Sequence, residues 1–317
     1  MRGLGPVLMM LAALAVVPVF ASNTLLNFLV STLIITLAAQ GWNILAGYAG
    51  QYSFGHAAFF GTGAYATAIL QTKLGLNAWA GFAAGIMAAA LVGWIIGALS
   101  FRSGLKGSYF ALVTLAFAEV FRIAANAAGI TGGAAGTLVK LDVGWHNLQF
   151  ANRVAFYWLV LALVGGVLVA TRLLENRRLG AYMIAVRENE AAASALGVDA
   201  LRIKLIAITL SAAVTGAAGC LYVQYFLYID ATIAYGTALS VEALVAPIVG
   251  GLGTALGPLV GALTLHGVGE LTKLLAGRVP GIDLVIFGVI LVLTVAFAPN
   301  GLVGVARRIG ARWRGSR

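Results

Sequence analysis

The sequence of residues 240–265 is SVEALVAPIVGGLGTALGPLVGALTL, with Glu242 as its one charged residue. This stretch is longer than the roughly 20 residues that a transmembrane helix needs. Its middle holds residues that interrupt helices, namely Gly250, Gly251, Gly253, Gly257 and Pro258. We therefore predict two membrane-spanning helices here, joined by a tight turn.

The composition of the whole chain agrees with a membrane protein. Of its 317 residues, 61% are hydrophobic and 9% are charged, whereas soluble proteins carry about 25% charged residues. The 41 glycines suit membrane helices, because small residues let helix backbones approach closely. A single cysteine, Cys220, excludes an internal disulfide and a metal site built from several cysteines. We predict an all-α, polytopic membrane protein that forms one transmembrane domain over residues 1–317.

Ten apolar runs follow one another along the chain and predict about ten transmembrane helices. They cover residues 4–21, 25–45, 57–71, 78–99, 107–125, 153–173, 203–223, 236–250, 257–275 and 283–298. The first run has an alternative interpretation. Because Arg2 precedes an apolar stretch that ends near Ala21, residues 1–21 could be a cleaved signal peptide, which would leave nine spans.

Two clusters of basic residues fix the predicted orientation. Residues 172–204 hold six lysines and arginines and residues 307–317 hold five, and such segments remain on the cytoplasmic side. An even number of spans must then separate the clusters, which the split of residues 240–265 provides. We predict ten spans with both termini in the cytoplasm. The clustering of the basic residues explains the net charge of +10 as a topology signal and as contact with the anionic headgroups of the lipid bilayer. We therefore do not predict that the chain binds nucleic acid.

Small residues recur at every fourth position in two places, a pattern that permits close helix crossing. One set is Gly81, Gly85, Ala89, Gly93 and Gly97, and the other is Gly253, Gly257 and Gly261. We interpret both sets as helix-packing faces within the subunit, with an interface between subunits as the alternative.

Residues 47–56, GYAGQYSFGH, interrupt an otherwise apolar region after the second span. Glycines and polar residues form a continuous helix poorly, and non-helical backbone at membrane depth occurs where protein buries it or where it lines a cavity. Broken helices are also where many transporters bind or gate substrate. The candidate pathway residues are Gly47, Gln51, Ser53, Gly55 and His56. A plain cytoplasmic connection is the alternative for the segment, and a structural hydrogen-bonding role is the alternative for His56.

Two carboxylates lie in predicted spans, where ionisable groups are expensive and usually functional. Glu119 lies in the fifth span and Glu242 near the outer end of the eighth. Arg122 follows Glu119 by three residues, so a local ion pair on one helix is the alternative for Glu119.

The longest polar stretch between spans is residues 174–202, which we predict to be a cytoplasmic loop. Its centre is rich in alanine and other helix formers, and Gly197 suits the end of a helix. The sequence predicts a short helix, a turn and re-entry into the membrane near Ile203.

The loop contains Glu190-Ala191-Ala192 followed by Gly197, which resembles the EAA coupling motif of ABC importer permeases. That resemblance implies a short helix that docks into a groove of a separate cytoplasmic ATPase subunit. The residues that it assigns to ATPase coupling are Arg187, Glu188, Glu190, Ala191, Ala192 and Gly197.

Further stretches resemble the LivM-type permeases of branched-chain amino-acid importers over roughly residues 40–305. They are residues 47–59, 107–119, 131–133, 187–190 and 298–302, and the second of them adds Thr114 to the predicted pathway. One departure is Ala134-Ala135-Gly136, where that family has Pro or Ala, Asn or Asp, then Gly. This difference leaves the substrate preference open.

The resemblance implies a multi-pass subunit of a bacterial inner (plasma) membrane. It implies a second, LivH-type permease, two ABC ATPase subunits and an extracytoplasmic amino-acid-binding protein as partners. The partner subunits would hydrolyse ATP, and this chain would bind no cofactor. The sequence agrees, since it has no Gly-x-x-x-x-Gly-Lys-Ser/Thr phosphate-binding loop.

The sequence also lacks metal-ligand spacing and a Gly-x-Ser-x-Gly elbow, so we predict a transport subunit and not an enzyme. The predicted function is import of branched-chain amino acids, driven by a separate ATPase. Two alternatives stay open. One is a related permease for urea or short amides, and the other is an ion-coupled secondary transporter with Glu119 or Glu242 as its ion site. The loop of residues 174–202 favours the ATPase-driven importer.

Overall fold

The computed structural model describes residues 5–276, 282–298, 300–306 and 308. Its helices are α1 (Gly5–Val16), α2 (Asn23–Trp42), α3 (His56–Leu74), α4 (Ala78–Arg102), α5 (Gly107–Ala127), α6 (Arg153–Glu175), α7 (Arg178–Glu188), α8 (Glu190–Ala195), α9 (Ala200–Phe226), α10 (Ala231–Tyr235), α11 (Thr237–Gly250), α12 (Gly257–Ala276) and α13 (Ile282–Phe297). Two short strands, β1 (Thr137–Leu138) and β2 (Tyr228–Ile229), pair antiparallel.

Six helical segments in the described residues are long and apolar enough to cross a membrane. They are α2 with its continuation to Tyr48, α4, α5, α6, α9, and α10 together with α11. The predicted all-α, polytopic fold is thereby confirmed. Helices satisfy every backbone polar group within one segment, which is why an apolar chain adopts them in a bilayer.

Helix α9 lies at the centre of the bundle and packs along α2, α3 and α4. Glycines make the contact with α4 close. A Cβ added at Gly93 would lie 2.3 Å from the Cβ of Ala212, and one at Gly97 would lie 2.6 Å from Cγ2 of Ile208. Gly85 meets Thr67 and Cys220 in the same way. These three glycines therefore pack helices within the subunit.

The interruption predicted within residues 240–265 is present, since α11 ends at Gly250 and α12 begins at Gly257. Gly261 packs directly on α11, where an added Cβ would lie 1.8 Å from the carbonyl oxygen of Ala246. The prediction that Gly253 shares this helix face is wrong. Gly253 lies in the turn before α12 with a φ of +69°, a conformation that glycine adopts without strain.

The loop of residues 174–202 forms two helices, whereas the sequence predicted one. Asn189 separates α7 from α8 with an extended backbone, and its side chain accepts a hydrogen bond from the backbone N–H of Ala192. An asparagine in this position caps a new helix, because its side chain satisfies a free backbone N–H. Gly197 ends α8 with a φ of +86°, as predicted. Helix α9 then begins at Ala200, slightly before the predicted re-entry at Ile203.

Candidate translocation and coupling sites

The interruption after α2 begins as a π-helix over Asn43–Tyr48 and ends where α3 starts at His56. The side chain of Asn43 ties this segment to the turn between α11 and α12. Its Nδ2 donates to the carbonyl oxygen of Thr254 at 3.1 Å, and its Oδ1 accepts from the backbone N–H of Gly253 at 2.9 Å. A Cβ at Gly47 would lie 2.7 Å from that same nitrogen of Gly253. The π-helical turn and the glycine turn therefore form one close-packed unit.

His56 is fully buried and hydrogen-bonded through both ring nitrogens. Its Nδ1 lies 3.1 Å from the hydroxyl of Ser53, and its Nε2 lies 2.8 Å from the hydroxyl of Ser211 on α9. The indole of Trp42 donates to the carbonyl oxygen of Ser53 at 2.7 Å. These bonds hold the interruption against α9. They agree with a structural hydrogen-bonding role for His56, the alternative to a role in gating.

Helix α5 closes the other side of the interruption. The backbone N–H of Phe54 donates to the hydroxyl of Thr114 at 3.1 Å. A Cβ at Gly55 would lie 1.8 Å from the carbonyl oxygen of Thr114, so only glycine fits there. Gln51 is half-buried and donates to the carbonyl oxygen of Ala49 at 3.1 Å. The fold thus brings most of the candidate pathway residues into one buried cluster, which we call the broken-helix cluster: Gly47, Ser53, Gly55, His56 and Thr114.

The two candidate carboxylates have charged or titratable partners outside the broken-helix cluster. On α5, Glu119 accepts two hydrogen bonds from Arg122, at 2.9 and 2.6 Å, so the predicted local ion pair is present. On α11, the Oε2 of Glu242 lies 3.9 Å from Nε2 of His266 on α12. Sequence spacing gave no neighbour for Glu242, because this contact joins two different helices.

Arg187, at the end of α7, is partly exposed and reaches the broken-helix cluster through one of its nitrogens. Its Nη1 donates to the carbonyl oxygen of Gly47 at 2.6 Å, and its other nitrogens bond Glu188. The backbone of Gly50 lies against its aliphatic part, where an added Cβ would lie 2.6 Å from Cγ. Arg187 therefore connects the loop to the broken-helix cluster, a connection that sequence patterns did not reveal.

Glu190 likewise points inward, at the start of α8. One carboxylate oxygen lies 2.7 Å from Nζ of Lys204, a side chain that is only 4% exposed, and the other lies 3.1 Å from Nζ of Lys106. Burial by itself would raise the pKa of Glu190, but hydrogen bonds from both lysines outweigh it and hold the pKa below its usual value. Glu190 thereby joins α8 to α9 and to the residue preceding α5.

The remaining residues of the predicted coupling motif lie on the surface. Glu188, Ala191, Ala192 and Gly197 are exposed, and the neighbouring Leu196 is 86% exposed. A cavity of about 410 Å³ opens beside Leu196. It is lined by Leu179, Tyr182, Val198, Arg202, Ile203 and Ile206, among others. We call this area the loop surface. An exposed apolar patch beside a concavity suits a protein partner.

The described residues contain no group of three or more His, Cys, Asp or Glu side chains placed to hold a metal ion. Their geometry offers a buried helix interruption, an outward-facing loop surface and polar contacts that join the two. A multi-pass helical bundle with an interrupted helix is an architecture that many membrane transport proteins share. Residues 24–295 match the family model described as the permease component of the branched-chain amino acid transport system, and the chain belongs to this family.

Individual relatives agree with the family. The chain is 32% identical to the high-affinity branched-chain amino acid transport system permease protein LivM of Escherichia coli K12, over 92% of this chain and 72% of that protein. It is 26% identical to the LivH permease of the same strain, over 84% of this chain and 90% of that protein. A probable LivM permease of Methanocaldococcus jannaschii is 26% identical over 79% of this chain and 77% of its own length. No solved structure matches the chain.

Proposed function

We propose that the chain is the permease subunit of an ATP-driven importer of branched-chain amino acids in a bacterial inner membrane. Its partners would be a second permease of the LivH type, two ATPase subunits and an extracytoplasmic binding protein. Family membership supports the substrate class. The observation that carries the ATP-driven mechanism is the two-sided loop, which presents the loop surface outward and sends Arg187 and Glu190 inward.

We propose ten membrane spans with both termini in the cytoplasm. Contacts at one end of the bundle support this topology. The end of α2, the turn between α11 and α12, and the end of α7 meet there through Asn43, Gly253 and Arg187. Arg187, one of the six basic residues of 172–204, lies at this end, which is the cytoplasmic end under the positive-inside rule.

In the proposed mechanism, an ATPase subunit docks on the loop surface and moves α7 and α8 when it binds ATP. Arg187 passes the movement to the carbonyl oxygen of Gly47, and Glu190 passes it to Lys106 beside the start of α5. Hydrogen bonds to charged groups contribute about 1.5–3 kcal/mol each, so these contacts are expected to persist while the loop moves. The broken-helix cluster and α5 then shift together, since Thr114 already joins them.

The substrate route in this proposal follows the side of α5 that faces away from the rest of the bundle. Among the six helical segments of the described residues that are long and apolar enough to cross a membrane, that helix is the least buried. Its exposed side carries Tyr109, Leu112, Val120 and Ile123 beside the ion pair of Glu119. An ion pair is costly against lipid, so this face is expected to meet the second permease and a water-accessible route. Its apolar side chains suit an aliphatic amino acid.

The decisive experiment reconstitutes the chain with its proposed partners in proteoliposomes and measures uptake of radiolabelled L-leucine. We expect uptake to require ATP and the binding protein, with competition by isoleucine and valine. Uptake driven by a proton or sodium gradient, without the ATPases, would replace this proposal with secondary transport. ATP-driven uptake of radiolabelled urea or a short amide, with no uptake of leucine, would keep the transporter class and change the substrate.

Docking on the loop surface is tested separately by Leu196→Asp. A buried charge at this contact is expected to reduce co-purification of the ATPase subunits at least tenfold. The matched control is Leu138→Asp, which alters an exposed leucine in β1 near the opposite end of the bundle. Equal co-purification of both variants with the ATPases would refute docking at this surface.

A further inference from the structure

A second cavity lies at the end of the bundle opposite the loop surface. Its volume is about 420 Å³, within the roughly 300–1,000 Å³ of small-molecule pockets. It lies between the start of α2, the start of α6 and the end of α9, and the outer segment 141–151 closes one side. Under the proposed topology it opens to the extracytoplasmic side. None of the predicted pathway residues lines it.

Arg153 supplies a positive charge at this cavity. It is the first residue of α6, is exposed, and forms no ion pair with any residue in the described part of the chain. The start of a helix carries partial positive charge in addition. A guanidinium group in this position matches a carboxylate, which it can bind through two parallel hydrogen bonds.

Gln224 supplies the complementary group. Its side chain lines the cavity and is 2% exposed, and its Nε2 donates to Oε1 of Gln71 at 2.6 Å. Its Oε1 accepts no hydrogen bond from any described residue. A buried acceptor without a donor costs about 1–3 kcal/mol, so this oxygen favours a ligand that brings a donor. An ammonium group is the donor that would gain most from it.

The other polar side chains of the wall already have partners. Gln149 accepts from the backbone N–H of Asp142 at 2.8 Å and donates to the carbonyl oxygen of Lys140 at 3.0 Å. The hydroxyl of Tyr225 donates to the side chain of Asn27. These bonds hold the side chains that line the cavity in place. Arg153 and Gln224 are then the polar groups through which the cavity would select its ligand.

Aromatic rings form the apolar part of the cavity. The rings of Phe156 and Tyr225 lie 4.9 Å apart between centroids, and those of Phe150 and Phe156 lie 6.2 Å apart. Aromatic side chains offer a large apolar surface with little conformational freedom to lose. This surface suits an aliphatic side chain better than a charged one.

We propose that this cavity binds a free α-amino acid with an apolar side chain on the outer side of the membrane. Arg153 holds the carboxylate, the Oε1 of Gln224 accepts from the ammonium, and the aromatic rings contact the side chain. The choice of an aliphatic amino acid rests on the proposed function. No residue of α5 or of the broken-helix cluster lines this site. It would bind substrate on the outer side of the membrane before transport.

The test measures equilibrium binding of radiolabelled L-leucine to the full complex in nanodiscs, with the binding protein omitted. We expect Arg153→Gln to weaken binding at least tenfold, since it removes the cationic partner. Lys73→Gln is the matched control, because Lys73 is an exposed cation in the last turn of α3 and does not line the cavity. Leucinamide and N-acetyl-leucine each lack one charged group and should compete at least tenfold less well than leucine.

Gln224→Leu should also weaken binding at least tenfold, and Gln224→Glu should restore it by providing a stronger acceptor for the ammonium. The proposal is overturned if leucine binding is absent or if Arg153→Gln leaves it unchanged. It is also overturned if Arg153→Gln removes only a phosphatidylethanolamine molecule, detected by mass spectrometry of the complex. ATP-driven uptake, measured with the same purified complex in proteoliposomes and with the binding protein added, separates the outcomes. Uptake without this binding contradicts the site alone, and absence of uptake contradicts the proposed function.

Discussion

The broken-helix cluster and the α7–α8 loop both interrupt the apolar pattern of the chain, yet they are built differently. In the cluster, glycines leave no space and His56 is bonded on both sides. In the loop, Arg187 and Glu190 bond inward while Leu196 is exposed. Under the proposed mechanism, the loop is the part that a partner moves, and the close-packed cluster moves in response. Variants in the cluster should therefore affect folding, and variants in the loop should affect coupling.

The largest expected effect is that of Gly55→Ala. The added methyl group would lie 1.8 Å from the carbonyl oxygen of Thr114, and such overpacking costs about 1–3 kcal/mol or more. We expect a large loss of monodisperse protein in size-exclusion chromatography. Gly166→Ala is the control, because no atom lies within 4 Å of its added Cβ. Equal yields of the two variants would show that the cluster is not close-packed.

Glu190→Arg should have the next largest effect, because it places a third cation beside Lys204 and Lys106. We expect loss of uptake and a lower melting temperature, with membrane insertion retained. Glu190→Gln should be milder, costing about 1–3 kcal/mol from the lost charged hydrogen bonds. Asp142→Asn is the control, since it removes the charge of an exposed carboxylate outside the loop. Wild-type uptake by Glu190→Arg would remove Glu190 from the proposed coupling path.

Arg187→Gln should separate coupling from folding. The variant loses the bond to the carbonyl oxygen of Gly47 and leaves the loop surface intact. We therefore expect the ATPases to remain bound while the amino acid transported per ATP hydrolysed falls several-fold. Arg178→Gln changes an exposed arginine at the start of α7 and should leave this ratio unchanged. An unchanged ratio in Arg187→Gln would mean that force reaches the cluster by another route.

The smallest expected effect is a pH dependence of stability due to Glu190. Because the folded state holds the pKa of Glu190 below its ordinary value of 4.5, its ion pairs stabilise the fold fully above that value. The contribution disappears as the pH falls through the lower, folded-state pKa. Melting temperatures measured from neutral to acidic pH should fall less steeply in Glu190→Gln than in the wild type. Parallel curves would show that Glu190 contributes nothing to this dependence.

Sequence patterns located several features correctly. The glycines of residues 250–257 predicted the end of α11 and the start of α12, and Gly197 predicted the end of α8. These predictions worked because each depends on local backbone preference. The division of the loop at Asn189 was missed, since the residues on either side of it favour helix. An asparagine before Glu190 was the available signal for a second helix start.

Contacts between distant segments were beyond such patterns. Nothing in the sequence pairs Glu190 with Lys204 and Lys106, or Glu242 with His266. The resemblance assigned Arg187 and Glu190 to the ATPase contact together with Ala191 and Ala192. The fold gives both charged residues partners within the subunit, and in the proposed mechanism they transmit the movement to the broken-helix cluster and to α5.

The sequence by itself determined that the chain is a helical membrane protein and where its helices are interrupted. An apolar chain must satisfy its backbone polar groups internally, and glycine and asparagine act locally where helices end or begin. Only the tertiary structure decided which polar side chains meet. The direction of a side chain depends on how helices distant in sequence pack and rotate against one another. That packing joins Arg187 to Gly47 and leaves Leu196 exposed.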